Sequence, residues 1–198
     1  MLAAHAEGMI LGSRGDLDAR TANFSRGFLG QVDRDLLFSY TSSEIRRVIE
    51  DECSVTLMAM QLDKPTADSD GQEALLLETE QLLFNQCRKH QDVVCRDDDN
   101  FIIYFESVCS SEALTIANRL LYSIPGQLLN YSSNGTTLSI GMSTLEYGVA
   151  HASFIPEVMP TLMDQSLAML EESRSFGGHQ VTWMICDKFS SPHQGGRA

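Results

Sequence analysis

Three consecutive aspartates, Asp97, Asp98 and Asp99, followed by Asn100 and Phe101, are the densest run of chemistry-bearing side chains in this 198-residue chain. Carboxylates hold divalent cations, so a metal site is one reading of the run. Consecutive residues of a tight link point in different directions and rarely converge on one ion, which favours the other reading, a solvated acidic turn. Lys64 and Arg174 suit either phosphate ligation or plain surface charge. His90 and His179 have no Cys or His partner at ligand spacing, and Ser139 has neither a nearby His nor a strained Gly-x-Ser-x-Gly turn to make it a nucleophile. Cys53, Cys87, Cys95, Cys109 and Cys186 contain no CxxC pair, as expected of reduced, mostly buried thiols in a cytoplasm. No metal and no cofactor is expected.

The elements that would position these residues follow from hydrophobic periodicity. The aspartates link two apolar segments, Val93-Val94-Cys95 and Phe101-Ile102-Ile103-Tyr104-Phe105, a pattern that predicts a β-hairpin. Upstream, Leu36, Leu37, Tyr40, Ile45, Val48 and Ile49 recur at helical spacing within residues 33–50, and residues 53–60 form a short buried strand followed by a polar loop over residues 64–71. Residues 72–90, rich in Leu and Glu, predict a long amphipathic helix. Downstream, Ser110 reads as the N-cap of another helix, Asn134-Gly135 precedes a strand over residues 136–142, residues 155–174 form a helix stopped by Gly177-Gly178, and residues 180–186 form a last strand. The predicted order is α-β-α-β-β-α-β-α-β, which is satisfied by an α+β sheet covered by helices.

Composition narrows the partners. With 27 acidic against 14 basic residues the net charge is −13, which disfavours nucleic acid and anionic membrane surfaces. No apolar run reaches the 18 residues needed to span a bilayer, and the first twelve residues lack a basic region before their apolar ones. The expectation is a cytoplasmic protein with one domain over residues 33–186, a flexible lead or connecting helix over 1–32 and a disordered tail over 187–198.

The order of elements, with its central hairpin, resembles the GGDEF family, the domain of bacterial diguanylate cyclases. The segment from Cys95 to Phe101 stands where that family has R-[YF]-G-G-D-E-F, and Thr137-Leu138-Ser139-Ile140-Gly141-Met142 is similar to T-V-S-I-G-[IV]. Without gaps, Ser166 to Val181 is similar to A-D-x-A-L-Y-x-A-K-x-x-G-G-N-x-V. Asp35-Leu36-Leu37 and Lys64-Pro65-Thr66-Ala67-Asp68 agree in position with D-x-L and K-x-x-N-D. Five motifs in the family's order carry more weight than any one alone. The implied fold is a nucleotidyl-cyclase-like palm with a mostly antiparallel five-stranded sheet.

The family joins two GTP molecules, one on each subunit of a dimer, into cyclic di-GMP by two-metal phosphoryl transfer. The resemblance implies that this site is degenerate. The family's metal Asp, in D-x-D-x-F-K, falls on Ala59 when counted through Lys64. Its two glycines, which let backbone approach nucleotide, are Asp97 and Asp98. Asp99 is retained and Asn100 replaces an acid. Lys64, Asp68 and Arg174 remain as candidate nucleotide contacts, and the inhibitory R-x-x-D would fall on Arg88 and Gln91, with Asp92 adjacent to the latter.

A resemblance with these losses implies a non-catalytic regulatory module, acting by dimerisation or by docking to a signalling protein in a cyclic di-GMP pathway that controls biofilm, exopolysaccharide or motility. The alternative is a sensor that binds GTP or cyclic di-GMP without turnover; an active cyclase ranks third. Self-association is expected of residues 29–50.

Overall fold

The computed structural model describes residues 34–63, 69–88, 91–129, 135–146 and 155–189. Its elements are α1 (Arg34–Glu50), β1 (Val55–Asp63), α2 (Ser69–Gln86), β2 (Val93–Asp97), β3 (Asn100–Glu106), α3 (Ser110–Leu128), β4 (Thr137–Leu145), α4 (Ile155–Ser175) and β5 (Val181–Ile185). The strands form one sheet in the order β2-β3-β1-β4-β5, antiparallel except for the β4–β5 pair. An α+β sheet covered by helices is the observed architecture.

Two apolar layers flank the sheet. Alternate residues of β1 supply each: Leu57 and Ala59 join α1 and α4 on one face, and Met58, Met60 and Leu62 join α2 and α3 on the other. Buried on both faces over Val55–Met60, the central strand shows no polar/apolar alternation there, which is why its sequence looked like a short core run.

Helix α1 contributes Leu37, Thr41, Ile45 and Val48 to the core, none more than 1% exposed, on a stripe of helical period. Its outward positions Arg34, Asp35, Ser39, Ser42, Arg46, Arg47 and Glu50 are polar and exposed. The apolar stripe of α1 is therefore spent inside the domain, and a chain starting at Asp51 would lack part of its core. The Arg47 guanidinium fastens α1 to β3 through Glu106 and also pairs with Glu44 at 3.2 Å.

Several boundaries differ from the sequence reading. α2 begins at Ser69, so Gly71 lies inside a helix rather than in a loop. β1 and β4 each extend three residues further, to Asp63 and Leu145. The N-cap of α3 is Cys109, with extended backbone at φ −79° and ψ 169°, and Ser110 is the first helical residue. Phe189 is 2% exposed and packs into the α1/α4 layer, so buried chain continues past residue 186. The lead over residues 1–32 lies outside the described residues, as does the tail from residue 190.

Glu146, just past β4, holds the start of α3. It accepts the Ser110 amide at 3.0 Å and the Ser54 hydroxyl at 3.1 Å. Burial alone would raise the pKa of this carboxyl, but the hydrogen bonds from Ser110 and Ser54 outweigh it and the net shift is downward. A carboxyl with a folded pKa below its unfolded value adds stability that is present above the unfolded value and lost as pH falls through the folded one. Glu146→Gln should therefore cost about 1 kcal/mol near neutral pH. The deficit should shrink below about pH 4.5. Urea unfolding of both proteins at several pH values measures it.

Candidate functional site

One end of the sheet gathers the residues singled out above. β3 starts there, and β1 pairs Gln61 with Asn100 of β3 and Asp63 with Thr137 of β4. The aspartate hairpin and the glycine turn after α4 thus lie at the same end, with the last residues of β1 between them.

The hairpin closes through two loop residues, since Asp97 pairs with Asn100 across it. Asp98 takes φ +54°, a conformation that Asp tolerates better than most residues. The side chains then diverge. Asp97 pairs with Arg34 of α1 at 3.4 Å on one face of the sheet. Asp99 accepts from Gln72 of α2 at 3.2 Å on the other. Between them Arg96 donates to the Asp98 carbonyl at 3.0 Å and makes a forked pair with Glu73 at 2.7 and 2.8 Å. Among the described residues no group of three or more His, Cys, Asp or Glu could hold a metal ion.

Ala59 is fully buried, four residues before the end of β1, paired with Ile102 on one side and Gly141 on the other. Above Gly141 the backbone of α4 lies so close that a Cβ there would collide with the Leu170 nitrogen and the Ser166 carbonyl. The β1 residue level with the hairpin is Gln61.

A further carboxylate at this end is Asp63, which the sequence reading did not single out. It accepts the Ser139 hydroxyl at 2.7 Å, the Thr137 hydroxyl at 2.9 Å and the His179 amide at 3.1 Å. Gly178, at φ +77°, leaves the space this carboxylate occupies, because a Cβ there would fall 2.8 Å from its Oδ2. Ser173 and Gln180 close the same turn reciprocally, at 2.8 and 2.9 Å. Asp63 thus ties β1, β4 and the glycine turn together. A charged strand end just before Lys64 was the signal for it.

Of the basic candidates, Arg174 pairs with Glu171 at 3.0 Å on the last turn of α4, where a cation also suits the helix dipole. Arg88 is committed more deeply. Its guanidinium grips Asp92 at 2.7 and 3.0 Å, its own amide donates to the same carboxylate at 2.7 Å, and its Nη2 donates to the Glu106 carbonyl at 2.7 Å. The Asp92 side chain is 1% exposed and Gln91 faces solvent. Lys64, Asp68 and His90 lie outside the described residues. Burial pushes the Cys87 thiol up to about 12 and raises that of Cys186, which leaves neither of these two poised as a nucleophile.

No protein-family model matches the sequence, and no curated protein matches it. Solved structures do. The coiled coil and GGDEF domain of DgcB from Caulobacter crescentus, in complex with c-di-GMP, superposes with a TM-score of 0.66 at 14% identity, covering 86% of this chain and 91% of that one. The FimX GGDEF domain from Pseudomonas aeruginosa gives 0.62 at 21% identity, covering 79% and 96%. The diguanylate cyclase SiaD from Pseudomonas aeruginosa, in complex with its activator SiaC, gives 0.63 at 15% identity, covering 86% and 66%. No helix among the described residues is long and apolar enough to cross a membrane. Sheet order, hairpin and helical layers together give this chain the fold of a GGDEF domain.

Proposed function

We propose that this chain is a non-catalytic GGDEF-like domain that serves as a regulatory interaction module in cyclic di-GMP signalling. One observation carries the reading: where the hairpin meets the end of β1, the flanking side chains are Gln61 and Asn100, Asp63 already accepts three hydrogen bonds, and the hairpin's Asp97 and Asp99 diverge to Arg34 and Gln72 on opposite faces of the sheet. Two-metal phosphoryl transfer needs carboxylates free to hold the ions. The choice of register does not alter this, since Ala59, counted through Lys64, and Gln61, level with the turn, are both uncharged. Arg88 and Arg174 already have carboxylate partners, which supports a module read by proteins over one that binds nucleotide. The SiaD complex with its activator SiaC offers a precedent for a protein partner on this fold.

The test is incubation of the purified chain with GTP and Mg²⁺ or Mn²⁺, with products separated by chromatography. No cyclic di-GMP is expected. Titration calorimetry with GTP and with cyclic di-GMP should give flat isotherms; saturable binding without turnover would replace this reading with the sensor.

A further inference from the structure

We infer that the open edge of β5 is a self-association surface, on which a second copy of this chain pairs antiparallel about a two-fold axis centred on Trp183. This rests on the proposed interaction role and deepens it by naming the surface and its occupant.

β5 is an edge strand of the described sheet, and its sequence, Val-Thr-Trp-Met-Ile, carries no charge and no proline. Natural edges are usually blunted by such residues, and a bare edge is a template for another strand. The hydrogen bonds to β4 fix which backbone groups remain open. Ile140 donates to the Gln180 carbonyl and Cys186 donates to the Thr144 carbonyl, so the even-numbered residues of β5 address β4. By strand alternation Val181, Trp183 and Ile185 turn their N–H and C=O groups outward. Pairing the whole strand with its own copy centres the dyad on Trp183. That register makes Trp183 a hydrogen-bonded pair with its symmetry mate and sets Val181 against Ile185.

The side chains agree with this edge. Trp183 pairs with Met142, a member of the α2/α3 layer, so Trp183 and Ile185 share the face that α3 covers. Both are 44% exposed. Tyr122 of α3, 68% exposed, stands edge-to-face on His179 with ring centroids 5.6 Å apart, which joins the helix to the residues preceding β5. Trp183, Ile185 and Tyr122 at these exposures leave on the order of 300 Å² of apolar side chain open on each copy. Two-fold pairing doubles that to about 600 Å², to which the strand backbones add their own area and hydrogen bonds, an interface of the small, transient class.

Charge also selects this surface. The chain carries −13 overall, so two copies repel through most of their faces, whereas the β5 strand brings no acid to the contact.

Sedimentation equilibrium of the full chain should show a dimer at tens of micromolar, roughly the affinity an interface at the low end of the size range supports. Trp183→Lys should weaken association at least about tenfold while circular dichroism stays native, because an edge lysine blocks strand addition. If Trp183→Lys misfolds, Trp183→Cys decides. A hydrogen-bonded antiparallel pair sets the two Cα atoms about 5.5 Å apart, within disulfide reach, so mild oxidation should cross-link the copies above the background of the five native thiols. A wild-type monomer at about 100 µM, an undiminished Trp183→Lys dimer, or no added cross-link overturns the inference. A monomeric wild type would also assign the patch to a different protein. None of these results bears on cyclic di-GMP synthesis, so the two proposals fail separately.

Discussion

Gly141→Ala is expected to lower the thermal midpoint by roughly 10 °C, corresponding to about 3 kcal/mol or more. The reason is the approach of α4 to β4. An added Cβ would meet the Ser166 carbonyl and the Leu170 nitrogen and lie 2.6 Å from the Met169 carbonyl carbon. All three are backbone atoms of one helix, so no rotamer change relieves the clash. The helix must lift from the sheet, along with Val158, Leu162 and Leu170, which it buries over Ala59 and Leu57. Ser166, fully buried and with its carbonyl over Gly141, is the small residue of α4 at this approach. Calorimetric unfolding of the variant measures the effect. A midpoint within about 2 °C of wild type would mean that α4 stands further from β4 than the structure places it.

This glycine also shows how far the sequence could be read. Its position in Thr-Leu-Ser-Ile-Gly-Met was visible as a motif, and so were the hairpin, the glycine turn and the order of all nine elements, because each rests on local periodicity or on turn chemistry. Why a glycine stands at 141 was not visible, since the cause is a helix that begins fourteen residues later. The same limit explains Asp63: its partners Thr137, Ser139 and His179 lie 74, 76 and 116 residues away. It explains α1 as well, where periodicity revealed an apolar stripe but not whether that stripe faced a second copy or this chain's own sheet.

The register of β1 was the least legible feature. Counting back from Lys64 through the contiguous D-x-D-x-F-K pattern selects Ala59. Strand pairing instead puts Gln61 level with the hairpin. Both positions point to the face covered by α1 and α4, yet their surroundings differ: Ala59 is sealed in the core, whereas Gln61 is partly open near the end of its strand.

That difference yields the second large effect. Ala59→Asp should not create a metal ligand; it should destabilise the fold by several kcal/mol, because it puts a carboxylate, with no partner, into a site of 0% exposure. Gly141 beside it cannot yield space, since α4 rests directly upon it. Gln61→Asp, polar for polar and partly exposed, should cost less than about 1 kcal/mol. Even so it should not give turnover while Asp97 and Asp98 stand in the hairpin. Each unwanted charge at about 4–6 Å from a triphosphate costs on the order of 1–3 kcal/mol in a partly solvated site. Removing the pair has separable consequences. Asp98→Gly relieves a residue at φ +54° and should stabilise slightly, whereas Asp97→Gly gives up the Arg34 contact. The triple variant Gln61→Asp, Asp97→Gly, Asp98→Gly is therefore the one in which cyclic di-GMP synthesis has its best chance, and Ala59→Asp is the one in which the protein unfolds first. Urea unfolding and a GTP turnover assay on both separate the two registers: a stable Ala59→Asp protein that makes cyclic di-GMP would place the metal position at 59 and refute the strand pairing as the guide to this site.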